Sequence, residues 1–244
     1  MSSLYLYAIA RPDASLPDDV RGIKNASVER ITEHDVSMLT SSIPDGRLRP
    51  RRRNLKAHHD VIKQIAATDT LLPMAFGVVA HSAADVRSFL ADHAARLGEQ
   101  LDHVNGHVEI GLRLVWNVDD IFAHFVKRYD QLRELRDTFF GEDGSANRQQ
   151  MIRLGERFES LLNAERDAHR ATLEDHLSDV CRSVVVDEPR KETDAAVLSC
   201  LVPRDGVDAF EAAVQEMAGA FDDTFTFTYT DPLAPYTFAD VNFG

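Results

Sequence analysis

His107 to Trp116 alternates with a period of two. Ile110, Leu112, Leu114 and Trp116 share one face, and Glu109, Gly111, Arg113 and Val115 share the other. One apolar face and one mixed face describe a strand in a sheet covered by helices on one side and open on the other. Thr224-Phe225-Thr226-Phe227-Thr228-Tyr229-Thr230 alternates in the same way and predicts a second strand. Between them the pattern predicts a helix over 118–139 capped by Asn117 and broken by Gly141-Glu142-Asp143-Gly144. A long helix over 146–180 follows, with an apolar stripe through Met151, Leu154, Phe158, Leu161, Leu162, Leu173, Leu177 and Val180. Its middle, Asn163 to Arg170, is strongly charged and is expected to project into solvent or meet a partner. A strand pair over 181–187 and 195–202, with Pro189 in its turn, and a helix over 206–219 complete the series. With the two helical pieces counted as one elaborated crossover, the order is the ferredoxin-like split βαβ pattern.

The N-terminal part reads as a smaller, less regular α+β unit. Leu4 to Ala10 is a buried first strand ended by Pro12. Val28 to Ile31 and Val36 to Ile43 are short strands either side of the turn-like Glu33-His34-Asp35. Asn54 is placed to cap a helix running to Thr68, with Leu55, Val61, Ile62 and Ile65 inward. Leu71 to Val79 is strand-like, and Ser82 caps a helix to Leu101. The fold class is therefore α+β in two domains: 1–105, then a ferredoxin-like domain over 106–231 with an extra long helix. Residues 232–244 form an extended tail. Its Pro232 and Pro235 keep it extended, and Tyr236 and Phe238 are costly to leave in water, so it is expected to fold back near the domain boundary.

Composition narrows the function. With 44% hydrophobic residues in 244, the chain can bury a core. Its formal charge of −13 argues against general nucleic-acid binding. No segment reaches the roughly 18 apolar residues of a membrane span, and the start lacks a basic leader. Two cysteines make no disulfide framework and suit a reducing cytosol. A symmetric turn would set Cys181 opposite Cys200, but two small buried thiols in a sheet is the favoured reading.

A search for chemistry returns little. The sequence has no GxSxG elbow, P-loop, dinucleotide fingerprint or HExxH. His58 and His59 are adjacent and diverge by about 100° on a helix. His103 and His107 straddle Asn105-Gly106, and His169 and His176 read as part of a solvated charged face. No metal site or cofactor is expected. Charge segregation does stand out. Arg47, Arg49, Arg51, Arg52, Arg53 and Lys56 give six cations and no acid over 47–56, whereas 187–244 holds twelve acids and three bases. This basic run reads either as a solvated loop or as a clamp for an acidic partner or for the chain's own acidic half.

Several segments in order carry a resemblance. They are Leu4-Tyr5-Leu6-Tyr7-Ala8-Ile9, Arg53-Asn54-Leu55-Lys56-Ala57-His58 and Leu72-Pro73-Met74-Ala75-Phe76-Gly77. Glu109-Ile110-Gly111-Leu112-Arg113-Leu114-Val115-Trp116 and Tyr229-Thr230-Asp231-Pro232-Leu233-Ala234-Pro235-Tyr236-Thr237-Phe238 follow. Over essentially its whole length the chain resembles the GvpL/GvpF family of gas vesicle proteins. It departs at Asp231, where the family usually has Gly, and at Leu233-Ala234.

The resemblance implies two α+β domains, no enzymatic activity and no cofactor. It also implies a cytoplasmic accessory protein of gas vesicle assembly. The implied partners are the small hydrophobic shell protein GvpA and other accessory proteins, with neither nucleic acid nor membrane. Partner-binding residues are sought among Arg47, Arg49, Arg51, Arg52, Arg53 and Lys56, on the open sheet face with Glu109 and Arg113, and along the charged helix near 163–170. A competing expectation is a small-ligand or enzymatic site on the open sheet face, using His107, Glu109 and Arg113. Glu109 and Arg113 stand four apart on one face and read more simply as an exposed ion pair.

Overall fold

The computed structural model describes residues 2–17, 19–45, 48–140 and 146–243. They form a mixed α+β structure with two sheets and six α-helices. The chain divides into two compact units. One comprises Met1–Ile110, Leu201–Asp205 and Asp231–Gly244; the other comprises Gly111–Cys200 and Gly206–Thr230.

The first unit is organised on β1 (Ser2–Ala10). It pairs antiparallel with β3 (Val36–Pro44) along one edge, and with β4 (Leu71–Pro73) and β5 (Val79–Ala80) along the other. β2 (Glu29–Glu33) pairs with β3 across a hairpin turned by His34, whose φ is 54°. Residues 5–10 are all fully buried. That explains an apolar run in place of alternation, since both faces of the strand are covered. Tyr5, Tyr7, Ala8 and Ala10 pack with Val61, Ile62 and Ile65 of α1 (Arg52–Ala66). Leu6 and Ile9 pack with Val86, Leu90, Leu97 and Leu101 of α2 (Ala83–Val104). A register shift between Leu6 and Ala8 puts Tyr7 and Ala8 in the same cluster.

Details differ from the sequence pattern. The helix after the basic run starts earlier, with Arg51 at its N-cap, and Asn54 lies inside its first turn. Its buried face is Asn54, His58, Val61, Ile62 and Ile65, which leaves Leu55 43% exposed. The expected strand over 71–79 is two short strands, because the chain turns at Gly77 with φ of 98°. Ser82 does cap α2, its hydroxyl accepting from Asp85 N–H at 3.2 Å.

In the second unit the sheet order is β7-β8-β6-β9, with β6 spanning His107–Trp116, β7 Ser183–Val186, β8 Asp194–Pro203 and β9 Phe225–Tyr229. β6 and β9 run antiparallel, with Trp116 opposite Phe225. Leu112, Leu114 and Trp116 are buried, and Trp116 meets Phe125 of α3 (Ile121–Arg128) edge-on at 5.5 Å. Phe125 in turn meets Phe158 of α5 (Arg148–Leu177). The expected helix over 118–139 is two helices. Asp120, rather than Asn117, caps α3 through Ala123 N–H, and Tyr129 leaves helical geometry before α4 (Asp130–Phe140). Asn117 instead donates its N–H to Thr224 O at 2.7 Å. α5 opens on a capping box between Asn147 and Gln150. The expected breaker at 141–144 lies outside the described residues. α6 (Val207–Gly219) buries Phe210, Val214 and Met217.

Candidate partner-binding surface

The basic segment reaches α1 in an extended conformation. Pro50 disfavours helical geometry at Arg49, and Arg51 has φ of −81° and ψ of 147°. Buried Asn54 holds the lead-in by donating its side-chain N–H to Arg49 O at 3.0 Å. Arg49, Arg51, Arg52 and Arg53 are exposed and make no ion pair among the described residues. Lys56 is committed to Asp60, one helical turn on, at 2.6 Å. Arg47 lies outside the described residues. α1 begins with no side-chain cap and no acid in its first turn. Cations there oppose the helix dipole at roughly 0.3–1 kcal/mol each, so folding alone gives no reason for them.

Glu109 and Arg113 are not the exposed ion pair expected from their spacing. Glu109 is 8% exposed, and its carboxylate accepts from Thr237 N–H at 2.7 Å and Thr237 Oγ1 at 2.8 Å. The sheet face expected to be open is therefore covered at Glu109 by the C-terminal segment. Leu233 bridges Glu109 through two backbone hydrogen bonds, and Phe238, Val241 and Phe243 pack against the Leu6–Leu90 cluster. Arg113 pairs instead with Asp194, which is fully buried and also accepts from the N–H groups of Arg190 and Lys191, each at 2.9 Å. Burial alone would raise the Asp194 carboxyl; these three donors together hold it below the usual range.

The charged middle of α5 is largely spoken for. Arg166 donates to the carbonyls of Asp194, Lys191 and Glu192. Glu165 receives Tyr129 Oη and sits 3.2 Å from both Arg128 and His169. His169 is packed among Trp116, Phe221 and Phe225 rather than solvated, and burial lowers its pKa despite Glu165. His58 is buried against Tyr5, Tyr7 and Phe76, 2.9 Å from Tyr5 Oη, and burial lowers it to about 4. His107 engages Asn105 O. Cys181 and Cys200 form no disulfide, and Asp187 N–H bonds to Val197 O, out of step with a symmetric turn. Among the described residues no group of three or more His, Cys, Asp or Glu could hold a metal, and no helix is long and apolar enough to cross a membrane.

Two basic residues that the sequence pattern did not single out join the arginines. Arg21 and Lys24 lie on the loop after β1 and line cavities together with Arg53 and Asn54. A motif search has no handle on them, because the approach is set by how this loop packs against α1.

The fold places the chain in the class of mixed α+β proteins built from two compact units and two sheets. Residues 3–240 match the family model for the gas vesicle synthesis protein GvpL/GvpF, and the chain belongs to that family. It is 26% identical to gas vesicle protein F of Nostoc sp. (strain PCC 7120) over 246 residues, covering 99% of each chain. It is 28% identical to gas vesicle protein F of Streptomyces sp. (strain CB03234), covering 98% of this chain and all of the other. The crystal structure of GvpF from Anabaena sp. PCC7120 superposes with a TM-score of 0.83 at 26% identity, over 99% of this chain and 100% of that one. These relatives are named as gas vesicle proteins, not as enzymes.

Proposed function

We propose that this chain is a non-catalytic accessory protein of gas vesicle assembly, acting in the cytoplasm and on forming vesicles. Its partners are the hydrophobic shell protein GvpA, other accessory proteins, or both, engaged during nucleation. The observation that carries this reading is the family match over residues 3–240. Full-length likeness to gas vesicle protein F of two organisms supports it. An apolar shell subunit needs a soluble handler before assembly, and a strongly acidic chain resists joining the aggregate. We further read the second unit as ferredoxin-like with an extra long helix. The order β7-β8-β6-β9, with helical crossovers after β6 and β8, supports that reading. The first unit is read as the N-terminal domain, and 232–244 as its tail.

The partner surface we assign is Arg49, Arg51, Arg52 and Arg53, with Arg47 and Lys56 flanking them in the sequence. Glu109 and Arg113, each held by an internal partner, are left out of it.

The test is coexpression with the shell protein and co-purification at low and high salt. Retention that weakens with salt is the expected result. Absence of the shell protein and of every other vesicle protein at both salts would sink the proposal.

A further inference from the structure

The basic run is wider in space than in sequence, and it is concave. A cavity of about 240 Å³ is lined by Lys24, Asp45, Arg49, Arg51 and Arg53. A second, of about 450 Å³, is lined by Arg21, Lys24, Arg53 and Asp60. The two share Lys24, Arg53 and Asn54, so they form one continuous depression. Lys24, Arg49, Arg51 and Arg53 are exposed and form no ion pair among the described residues, in a chain of formal charge −13. The chain has acids in excess, yet among the described residues each cavity has one acid in its lining, Asp45 or Asp60, and Asp60 is already paired with Lys56.

We infer that this depression is a docking cradle for an acidic polypeptide segment of a partner protein, with Lys24, Arg51 and Arg53 taking its carboxylates. Guanidinium groups pair with carboxylates in a bidentate fork, which gives register as well as attraction. Each cavity also carries one acid, Asp45 or Asp60. A mixed-sign lining suits a polypeptide that bears both charges, and works against a uniformly anionic phosphate backbone. Among the described residues no aromatic side chain lines either cavity to stack a base. The apolar wall of Ile43 and Leu48 suits the stem of a glutamate or a neighbouring aliphatic residue. The inference rests on the adaptor reading and names the chemistry of its partner.

The test uses the full chain and a short fluorescein-labelled polyglutamate peptide, followed by fluorescence anisotropy at low and high salt. A glycine-serine peptide and a single-stranded thymidine oligonucleotide are the controls. Variants Arg51→Asp and Lys24→Gln carry changes in two separate chain segments, and the first places a good capping residue at the start of α1, so folding is protected. Saturable, salt-sensitive binding of polyglutamate alone is expected, weakened about tenfold or more in the double variant. Equal binding of the oligonucleotide, or unchanged affinity in the double variant, overturns the inference. So does sedimentation showing that these side chains join two copies of the chain. If the double variant loses polyglutamate but still co-purifies with the shell protein, the cradle stands and serves another vesicle protein. If no vesicle protein is retained by the wild type while polyglutamate binds, the adaptor reading fails and the cradle chemistry survives.

Discussion

The carboxylate of Glu109 holds Thr237 twice, through its backbone N–H at 2.7 Å and its hydroxyl at 2.8 Å. A buried acid on β6 thereby secures the C-terminal segment, whose Phe238, Val241 and Phe243 cover one apolar cluster of the first unit. Glu109→Ala leaves both donors without this acceptor. Hydrogen bonds to charged groups contribute roughly 1.5–3 kcal/mol, so amides beyond 236 should exchange faster and a protease should trim the tail. Unchanged protection of the 237–243 amides would show that apolar packing alone suffices.

Gly22 is needed for space, since its φ of −99° is open to any residue. A Cβ there would stand 2.6 Å from Tyr7 Cζ and 2.9 Å from Ser41 Oγ. Tyr7 is fully buried, its hydroxyl accepting from Ile23 N–H and donating to Ser41 Oγ. Gly22→Ala is expected to cost about 3 kcal/mol through forced displacement of that ring. Thermal unfolding measures it; a loss under about 0.5 kcal/mol, the range of neutral surface changes, would contradict the packing argument.

Asp194 gathers three donors in the second unit, so its loss should exceed that of Arg113. Asp194→Ala strands two backbone N–H groups and a guanidinium, at about 3–5 kcal/mol. Arg113 is 37% exposed, and water can replace part of what Arg113→Ala removes. Denaturant unfolding of the two variants should rank them in that order.

His58 makes stability depend on pH. Its folded pKa of about 4 lies below the ordinary 6.5 because burial disfavours the cation. The unfolded chain therefore binds the proton more readily, and stability present above about pH 6.5 is lost as pH falls toward 4. The slope is about 1.4 kcal/mol per pH unit across that window. His58→Phe removes this contribution, so the difference in unfolding free energy between wild type and variant should shrink on acidification. A difference independent of pH between 4 and 6.5 would refute the assignment.

Arg51 sets stability against binding. Arg51→Asp supplies the missing cap and a favourable charge at the start of α1. It should stabilise the chain by about 0.5–2 kcal/mol while weakening retention of its acidic partner. A variant that is both more stable and undiminished in polyglutamate binding would return the arginines to the status of a solvated loop.

Most elements were legible because strand and helix periods are local. His107 to Trp116 and the stripe from Leu154 to Leu177 carry their periods, and Leu4 to Ala10 its unbroken apolar run, in neighbouring residues. Caps were less so. Asn54 and Asn117 are good capping residues by type, but Asn54 is buried holding Arg49, and Asn117 N–H is engaged by Thr224. The break at Tyr129 carries no Gly or Pro to mark it. The charged run at 163–170 reads as solvated because composition counts charges without showing what packs on them.

By itself, then, the sequence determined most of the strands and helices in their order, the acidic balance with its one basic run, and membership of the GvpL/GvpF family. Only the tertiary structure decided which charges are spent and which remain. Glu109 goes to Thr237, Arg113 to Asp194 and Glu165 to Tyr129, while Lys24 joins Arg51 and Arg53 around one depression. Periodicity is a property of residues a few positions apart. The partner of a charged group is chosen among residues far apart in sequence, by which of them packing brings within hydrogen-bond reach and shields from water.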